Sequence, residues 1–392
     1  MNHAVPPVKR RVALALLTVA ALSLAACGTG GGKSGGDAAT GLGEKEGTIS
    51  ILAWPGYVED GSNQPDVDWV SPFEKDTGCT VTSKIYSTPD QGFNLMKSGE
   101  YDVIAASGDA AARLIEAGVV APVNTDLIPN YAGIYDFLTM QSWNSVDGVS
   151  YGVPHGYGAN LLMYNTEVVS PAPTSWGVVF DESGAYHGRV TAYDSPIYIA
   201  DAAVYLMAHR PELGIRNPYA LDTEQLAAAA ALLREQRTNI GEYWSNYRTT
   251  IQAFESGDSV VGTTWQLIAN GLADGVPTAV TMPSEGVTGR SDTWMIGSGA
   301  KSPNCAYAWL NYIASPEVNG QATGYVGEAP SSQAACEFRS AGSCEAYHAG
   351  DADYASTIWF WSNPVADCLD GRTDVPCTDY AAWTTAWQQI TG

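Results

Sequence analysis

The side chains that most often carry out catalysis are scattered along this sequence. It contains neither G-x-S-x-G nor H-E-x-x-H, and four of the histidines lie far from any partner at motif spacing: His155, His187, His209 and His348. Paired carboxylates could hydrolyse a glycosidic bond, and the 12 Trp and 21 Tyr would suit a sugar. We therefore predict that the protein is not an enzyme and uses no cofactor, with a secreted hydrolase as the distant alternative.

The cysteines predict disulfide bonds rather than a metal site. Six of the seven follow Cys27, the sequence contains no C-x-x-C, and the histidines are too dispersed to complete a zinc ligand set. An even number of cysteines in an oxidising compartment indicates three bridges. Proximity in sequence suggests two of them and leaves two cysteines for the third: Cys336 with Cys344, Cys368 with Cys377, and Cys79 with Cys305.

The N-terminal segment predicts export. Lys9, Arg10 and Arg11 precede an apolar run over residues 12–26, which is shorter than the roughly 20 residues needed to span a bilayer. Leu24-Ala25-Ala26-Cys27 resembles the lipobox of bacterial lipoproteins, which implies that acyl chains on Cys27 hold the protein at the extracytoplasmic face of the membrane. Residues 1–26 are predicted to be a signal peptide, and the Gly-rich residues 27–46 a lipidated, flexible tether.

The protein is strongly acidic. Its formal net charge of −23 becomes −26 when the three basic side chains of residues 1–26 are removed. A surface of this sign excludes nucleic acid as a partner, because the phosphate backbone would be repelled. It draws cations toward the protein instead.

Short apolar or β-branched runs alternate with helical patterns through most of the chain. This alternation predicts an α/β fold with mostly parallel sheets, and the length favours two domains. The predicted strands are Thr48 to Ala53, Thr80 to Tyr86, Asp102 to Ala106, Arg189 to Tyr193, Ser259 to Thr264 and Thr278 to Met282. The predicted helices are Asp109 to Ala117, Ile199 to His209, Thr223 to Arg237, Tyr247 to Ser256 and Tyr380 to Ile390.

Local signals refine three of these segments. Asp222, followed three residues later by Gln225, predicts a capping box. In the last helix, Tyr380, Trp383, Trp387 and Ile390 share one face at 3.6-residue spacing, which predicts a buried stripe. Between Gly148 and Asn165, two extended pieces surround His155-Gly156-Tyr157-Gly158, and the two glycines predict a crossing between domains.

Five sequence motifs follow one another between Gly47 and Ala335: Ile51-Leu52-Ala53-Trp54-Pro55-Gly56-Tyr57, Phe73 to Gly78, Gly99 to Val103 with Ser107, Tyr151 to Pro154 with Gly158, and Thr174-Ser175-Trp176 with Gly188. In this order they resemble the spermidine/putrescine-binding proteins of ABC importers. The resemblance implies a type II periplasmic-binding-protein-like fold with a mixed, mostly parallel sheet in each of two lobes and a ligand cleft between them. It also implies that the chain crosses between the lobes near Tyr157 and near Asp292.

The resemblance divides the chain into lobes. Residues 47–157 with 290–335 are expected to form the first lobe, and residues 158–289 the second. Residues 336–392 lie outside the resemblance and contain four of the cysteines. We expect this C-terminal segment to pack on the lobes.

The resemblance also assigns a ligand site. A polyamine carries ammonium groups at both ends of a flexible chain, so its site needs carboxylates at the ends and aromatic faces between them. Carried over position by position, the expected ligand-binding residues are Trp54, Tyr57, Ser107, Asp109, Tyr157, Trp265, Asp292 and Glu328.

Several positions depart from the family. Asp109 and Glu328 stand where the family has Tyr, and Arg290 replaces a Trp. Two added carboxylates would strengthen a cation site, whereas Arg290 would oppose one unless it pairs with Asp292 or Glu328. An unpaired Arg290 would indicate a ligand with its own carboxylate. Asp194, at the end of its predicted strand, is a weaker candidate for the same site.

We therefore predict a monomeric solute-binding lipoprotein that captures a small cationic ligand, most simply a polyamine, and delivers it to the transmembrane permease of an ABC importer. A sugar, an amino-acid derivative or another osmolyte is the alternative ligand. Iron is disfavoured, because related ferric-binding proteins use an adjacent Tyr pair and this sequence has no Tyr-Tyr. A surface adhesin or signalling lipoprotein is a further alternative.

Overall fold

A computed structural model describes residues 38–272 and 275–392. Cys27, the predicted signal peptide and half of the predicted tether lie outside the described residues, so the lipid anchor stays a prediction. Each helix within the described ranges is too short or too polar to cross a bilayer.

Fourteen strands and twelve α-helices make up the regular structure of the described residues. The strands are β1 (Thr48–Ala53), β2 (Thr80–Ile85), β3 (Val103–Ala106), β4 (Ser145–Val146), β5 (Val149–Ser150), β6 (Val153–Ala159), β7 (Leu161–Asn165), β8 (Val190–Tyr193), β9 (Ile240–Trp244), β10 (Val261–Thr264), β11 (Thr278–Thr281), β12 (Val287–Ile296), β13 (Ala329–Pro330) and β14 (Ile358–Phe360). The helices are α1 (Val70–Thr77), α2 (Pro89–Met96), α3 (Gly108–Glu116), α4 (Ile199–His209), α5 (Thr223–Arg237), α6 (Tyr247–Ser256), α7 (Gln266–Leu272), α8 (Pro303–Ile313), α9 (Pro316–Val326), α10 (Ser343–Ala346), α11 (Ala352–Ser356) and α12 (Tyr380–Thr391).

The first lobe is built on a seven-stranded mixed sheet, in the order β13-β6-β12-β3-β1-β2, with β14 paired to the start of β12. β1 runs parallel to β2 and β3, whereas β12 runs antiparallel to β3 and β6. Because the carboxyl ends of parallel strands meet at one edge of a sheet, Trp54 and Ser107 follow β1 and β3 at the same edge.

The second lobe is built on a five-stranded mixed sheet, in the order β11-β7-β10-β8-β9. β8 is parallel to both β9 and β10, so Tyr193, Trp244 and Thr264 end their strands at one edge. This edge carries Trp265, which directly follows β10.

The predicted elements agree well with the structure. β1, α4, α5 and α6 have the predicted bounds, and the other predicted strands and helices begin and end within two residues of those observed. The capping box is confirmed, because the Asp222 side chain accepts from the Gln225 backbone while the Gln225 side chain accepts from the Asp222 backbone. In α12, Trp383, Trp387 and Ile390 are buried as predicted, and Tyr380 is half-buried.

The chain changes sheets between β6 and β7 and again between β11 and β12. β6 continues through Gly156, Tyr157 and Gly158 within the first sheet, and the change to the second sheet occurs at Asn160. Asp292 likewise lies inside β12, where it pairs with Gly156. Gly156 lies within β6 and leaves room for the Glu328 carboxyl. The exact bounds of the lobes stay a prediction.

The three predicted disulfides are confirmed: Cys79–Cys305, Cys336–Cys344 and Cys368–Cys377. Cys79 and Cys305 are completely buried and are separated by 226 residues in sequence. In the chain-entropy model, a loop of this length stabilises the fold by about 5 kcal/mol. This bridge joins the beginning of β2 to α8 within the first lobe.

Candidate binding site between the lobes

A buried group of charged side chains lies in the first lobe beside β12. The Tyr57 hydroxyl donates to Asp292 Oδ2 at 2.6 Å and lies 3.3 Å from Glu328 Oε1. Arg290 forms an ion pair with Glu328, with 3.3 Å between Nη2 and Oε2. His155 Nε2 lies 3.7 Å from Glu328 Oε1. Tyr57, His155, Asp292 and Glu328 are more than nine-tenths buried, and the Arg290 side chain is 11% exposed.

Neighbouring elements of the first sheet bring this group together. Tyr57 follows β1, and Glu328 precedes β13. Arg290 and Asp292 lie two residues apart on β12. Gly156 on β6 pairs with Asp292 on the neighbouring strand β12. A Cβ at position 156 would lie 2.7 Å from Glu328 Oε1 and 2.6 Å from the Ala329 carbonyl oxygen. A glycine at 156 is therefore what admits the Glu328 carboxyl to the group.

Burial determines the protonation of this group. It raises the pKa of Glu328 to about 7, and the nearby charge of Asp292 adds to this, although Arg290 opposes it. Burial also raises the pKa of Asp292 against the opposing effects of Arg290 and Tyr57. Burial, followed by the charge of Arg290, lowers the pKa of His155 to about 3, so His155 is neutral near pH 7. A bound cation would stabilise the ionised form of both carboxyls.

A second buried carboxyl lies at the N-terminus of α3. Asp109 is completely buried, and its Oδ1 accepts from the Ser107 hydroxyl at 2.7 Å. Burial raises the pKa of Asp109 despite this bond and the charge of Arg113. The Ser107 hydroxyl therefore satisfies Oδ1 of Asp109, and Oδ2 receives no hydrogen bond from it.

One oxygen of each of these aspartates is unsatisfied. Asp109 Oδ2 and Asp292 Oδ1 are inaccessible to solvent and have no hydrogen-bond partner within residues 38–272 and 275–392. A buried acceptor without a partner costs about 1 to 3 kcal/mol, and more when it is charged. Neither aspartate forms an ion pair with a residue of the described ranges. Both oxygens could accept a hydrogen bond from an ammonium group.

Aromatic rings surround these carboxyls. The Trp54 ring packs on Tyr86 with 4.3 Å between centroids, and the charges of Asp292 and Asp109 both contribute to raising the pKa of Tyr86 above its usual value, after burial. From the second lobe, the Trp265 ring lies 4.4 Å from the Arg290 guanidinium. Arg290 is thus held between Glu328 of its own lobe and an indole of the other.

Trp265 is itself fixed by a chain of polar contacts at the junction of the lobes. Its Nε1 donates to Asn160 Oδ1 at 2.9 Å, and Asn160 Nδ2 donates to Thr288 Oγ1 at 2.6 Å. The Thr288 hydroxyl in turn donates to Asp201 Oδ1 at 3.0 Å. The ring that stacks on Arg290 is therefore anchored where the chain changes sheets.

The structure brings together most, but not all, of the residues expected from sequence. Tyr57, Asp292 and Glu328 are in contact, and Ser107 is bonded to Asp109. The Tyr157 hydroxyl is directed away from this group, since it donates to the His348 carbonyl oxygen at 2.7 Å and accepts from the Gly350 N–H. Asp194 is exposed and accepts from Trp387 Nε1 at 3.1 Å.

Further side chains near this group were not expected: His155 and Tyr86, and also Tyr193, which stacks on Trp361 and whose pKa is raised by burial and then by the charge of Asp109. Position at the carboxyl end of β8 could have indicated Tyr193, because such ends line ligand crevices in α/β folds. His155 had no partner at motif spacing, since its partner Glu328 is distant in sequence. Trp361 belongs to the C-terminal segment, for which no motif gave a signal. The described residues contain no cluster of three His, Cys, Asp or Glu side chains suited to an ion.

Comparison with known proteins places the chain among binding proteins. The family described as bacterial extracellular solute-binding protein matches residues 68–342. The putrescine/cadaverine-binding protein of Pseudomonas aeruginosa is 22% identical over 311 residues, which cover 74% of this chain and 81% of that protein. The putrescine-binding periplasmic protein PotF of Escherichia coli is 24% identical over 319 residues, which cover 76% and 82%.

Solved structures show the same architecture. The substrate-binding protein PotD of the spermidine/putrescine ABC transporter from Streptococcus pneumoniae superposes with a TM-score of 0.67 at 18% identity, covering 88% of this chain and 97% of that one. This likeness, together with the two sheets, confirms the predicted two-lobe α/β fold of type II.

Proposed function

The chain belongs to the family of bacterial extracellular solute-binding proteins, and on that premise we propose that it captures a polyamine, such as putrescine or spermidine, and delivers it to an ABC importer. The observation that carries the proposal is the pair of unsatisfied, completely buried oxygens Asp109 Oδ2 and Asp292 Oδ1. Each suits one ammonium group of a ligand that is positively charged at both ends.

The balance of charge favours such a ligand. Three carboxyls are buried here, and one of them, Glu328, is matched by Arg290. Neither Asp109 nor Asp292 forms an ion pair with a described side chain, so an ammonium group could pair with each of them. Because Arg290 is already paired, it does not call for a carboxylate on the ligand. The names of the two curated relatives, which bind putrescine or putrescine and cadaverine, support the same ligand class.

The remaining parts of the proposal follow from this role. The protein acts as a monomer outside the cytoplasmic membrane, held there by acyl chains on Cys27, and residues 47–157 with 290–335 form the lobe that carries the acidic group. Residues 158–289 form the lobe that closes on it, and residues 336–392 pack on both. A ligand that contacts both lobes favours the closed form, which the permease recognises, because it binds that form more tightly.

Calorimetric titration of the soluble protein, residues 46–392, tests the ligand class. We expect putrescine or spermidine to bind with micromolar or tighter affinity, and 4-aminobutyrate to bind at least about 100-fold more weakly, since its carboxylate would replace one ammonium beside a buried carboxyl. Glucose serves as the neutral control. Tighter binding of 4-aminobutyrate than of putrescine, or no heat with either amine, would refute the polyamine assignment.

A further inference from the structure

The C-terminal segment runs from the first sheet to the second lobe. β14 lies parallel to the start of β12, and the Trp361 N–H donates to the Gly289 carbonyl oxygen at 2.8 Å. Farther along, the Thr378 N–H donates to the Leu221 carbonyl oxygen at 2.7 Å, and α12 packs on α5 with Trp383 in the core of the second lobe. Trp361 is therefore held by the main chain at the junction of the two lobes.

Trp361 contacts one lobe through its ring and the other through its main chain. Its ring stacks on Tyr193, at the end of β8, with 5.5 Å between centroids and 17° between planes. The main-chain carbonyl oxygen of Trp361 lies against Gly108, at the start of α3. A Cβ at position 108 would collide with this oxygen. The glycine before Asp109 thus admits the Trp361 main chain beside that carboxyl.

The charges of Asp109 and Asp292 affect the tyrosine on which Trp361 stacks. The pKa of Tyr193, on which Trp361 stacks, is raised by burial and then by the charges of Asp109 and Asp292, against that of Arg290. The Trp361 side chain is 2% exposed, and its Nε1 finds no hydrogen-bond partner in the part of the chain that the structure describes. The Trp361 ring therefore lies beside Tyr193, and its main chain lies beside the residue that precedes Asp109.

We infer that Trp361 is a ligand-contacting residue, which places its indole face against the ammonium and methylene groups of the bound polyamine. The inference rests on the proposed function and assigns a binding role to a residue beyond the family match, which ends at 342. A cation is attracted to the face of an indole ring, most strongly where water is excluded.

Substitutions at position 361 test whether putrescine binding needs the aromatic ring itself or only an apolar side chain of similar volume. Trp361→Leu keeps an apolar side chain but removes the ring, so its affinity for putrescine is expected to fall about 10-fold. Trp361→Phe keeps a ring and is expected to stay within about 3-fold of the unsubstituted protein. The matched control is Trp359→Leu, on the same segment, where Trp359 borders a separate surface pocket beside Asn217 and Tyr219. This control is expected to bind normally.

The test is calorimetric titration of these variants with putrescine, together with fluorine NMR of the unsubstituted protein labelled with 5-fluorotryptophan. The Trp361 resonance, assigned through Trp361→Phe, is expected to shift on saturation with putrescine. Equal affinities of Trp361→Leu and the unsubstituted protein, or a Trp361 resonance that does not move while putrescine binds, would overturn the inference and leave the proposed function intact. If the unsubstituted protein bound no amine, both would fail. If Trp361→Leu does not fold, the Trp361 resonance of the unsubstituted protein tests the inference by itself: a shift with putrescine supports it, and no shift overturns it.

Discussion

Asp292→Asn is expected to weaken putrescine binding by two to three orders of magnitude. The substitution keeps the size of the side chain and an oxygen for the Tyr57 hydroxyl, but it removes the negative charge that faces the ligand. Loss of one partner from a buried, hydrogen-bonded charge pair costs about 2 to 5 kcal/mol, and each 1.4 kcal/mol is about a factor of ten in affinity. The measurement is calorimetric titration with putrescine at pH 7.

The stability of the ligand-free variant distinguishes a binding role from a structural one. Asp292→Asn should not lower the free energy of unfolding, because burial disfavours the Asp292 charge by more than Arg290 and Tyr57 favour it, as the raised pKa indicates, and an oxygen remains for the Tyr57 hydroxyl. The exposed Asp126→Asn is the matched control and should bind putrescine normally. Unchanged affinity in Asp292→Asn would contradict the assignment of Asp292 to the ligand.

Glu328→Gln is expected to remove part of the pH dependence of folding. Burial raises the pKa of Glu328 from its ordinary 4.5 to about 7 in the folded state, so the folded protein keeps a proton that the unfolded chain releases. This contribution to stability is fully present below pH 4.5 and is lost as the pH rises to about 7. Over that window, the free energy of unfolding of the unsubstituted protein should fall relative to the variant by up to about 1.4 kcal/mol per pH unit.

Denaturant unfolding at several pH values between 4 and 8 measures this difference. The charged and titratable side chains near Glu328 are Tyr57, His155, Arg290, Asp292 and Arg339. Glu317→Gln, an exposed position on α9, is the control and should follow the unsubstituted protein. Parallel stability curves for Glu328→Gln and the unsubstituted protein would show that Glu328 has the same pKa in the folded and unfolded states and would remove the basis of this prediction.

The fold was predictable from sequence because local signals agree with it. Apolar runs of strand length and helical periodicity located β1, α4, α5 and α6 at their observed bounds, and the capping box at Asp222 was visible as a residue pair. The exact residue at which the chain changes sheets after β6 was not predictable from the two glycines. Glycines in an extended run indicate either a bend or a close approach of other atoms, and only the position of Glu328 beside Gly156 distinguishes them.

The candidate site was predictable where the family resemblance supplied the residues. It indicated Tyr57, Asp292 and Glu328 as neighbours, and the structure brings them into contact. The sequence could not decide whether Arg290 is paired, because its partner depends on how β12 and the residues before β13 pack. Trp361 could not be predicted at all, since its position depends on the path of a segment outside the resemblance.

The crystal structure of the protein with putrescine bound tests the central claim most directly. We predict that one ammonium nitrogen lies within about 3 Å of Asp292 Oδ1, and that the other lies at a similar distance from Asp109 Oδ2, with aromatic rings along the methylene chain. Putrescine bound outside the space between the lobes, or in a position that leaves both oxygens without a partner, would contradict the account.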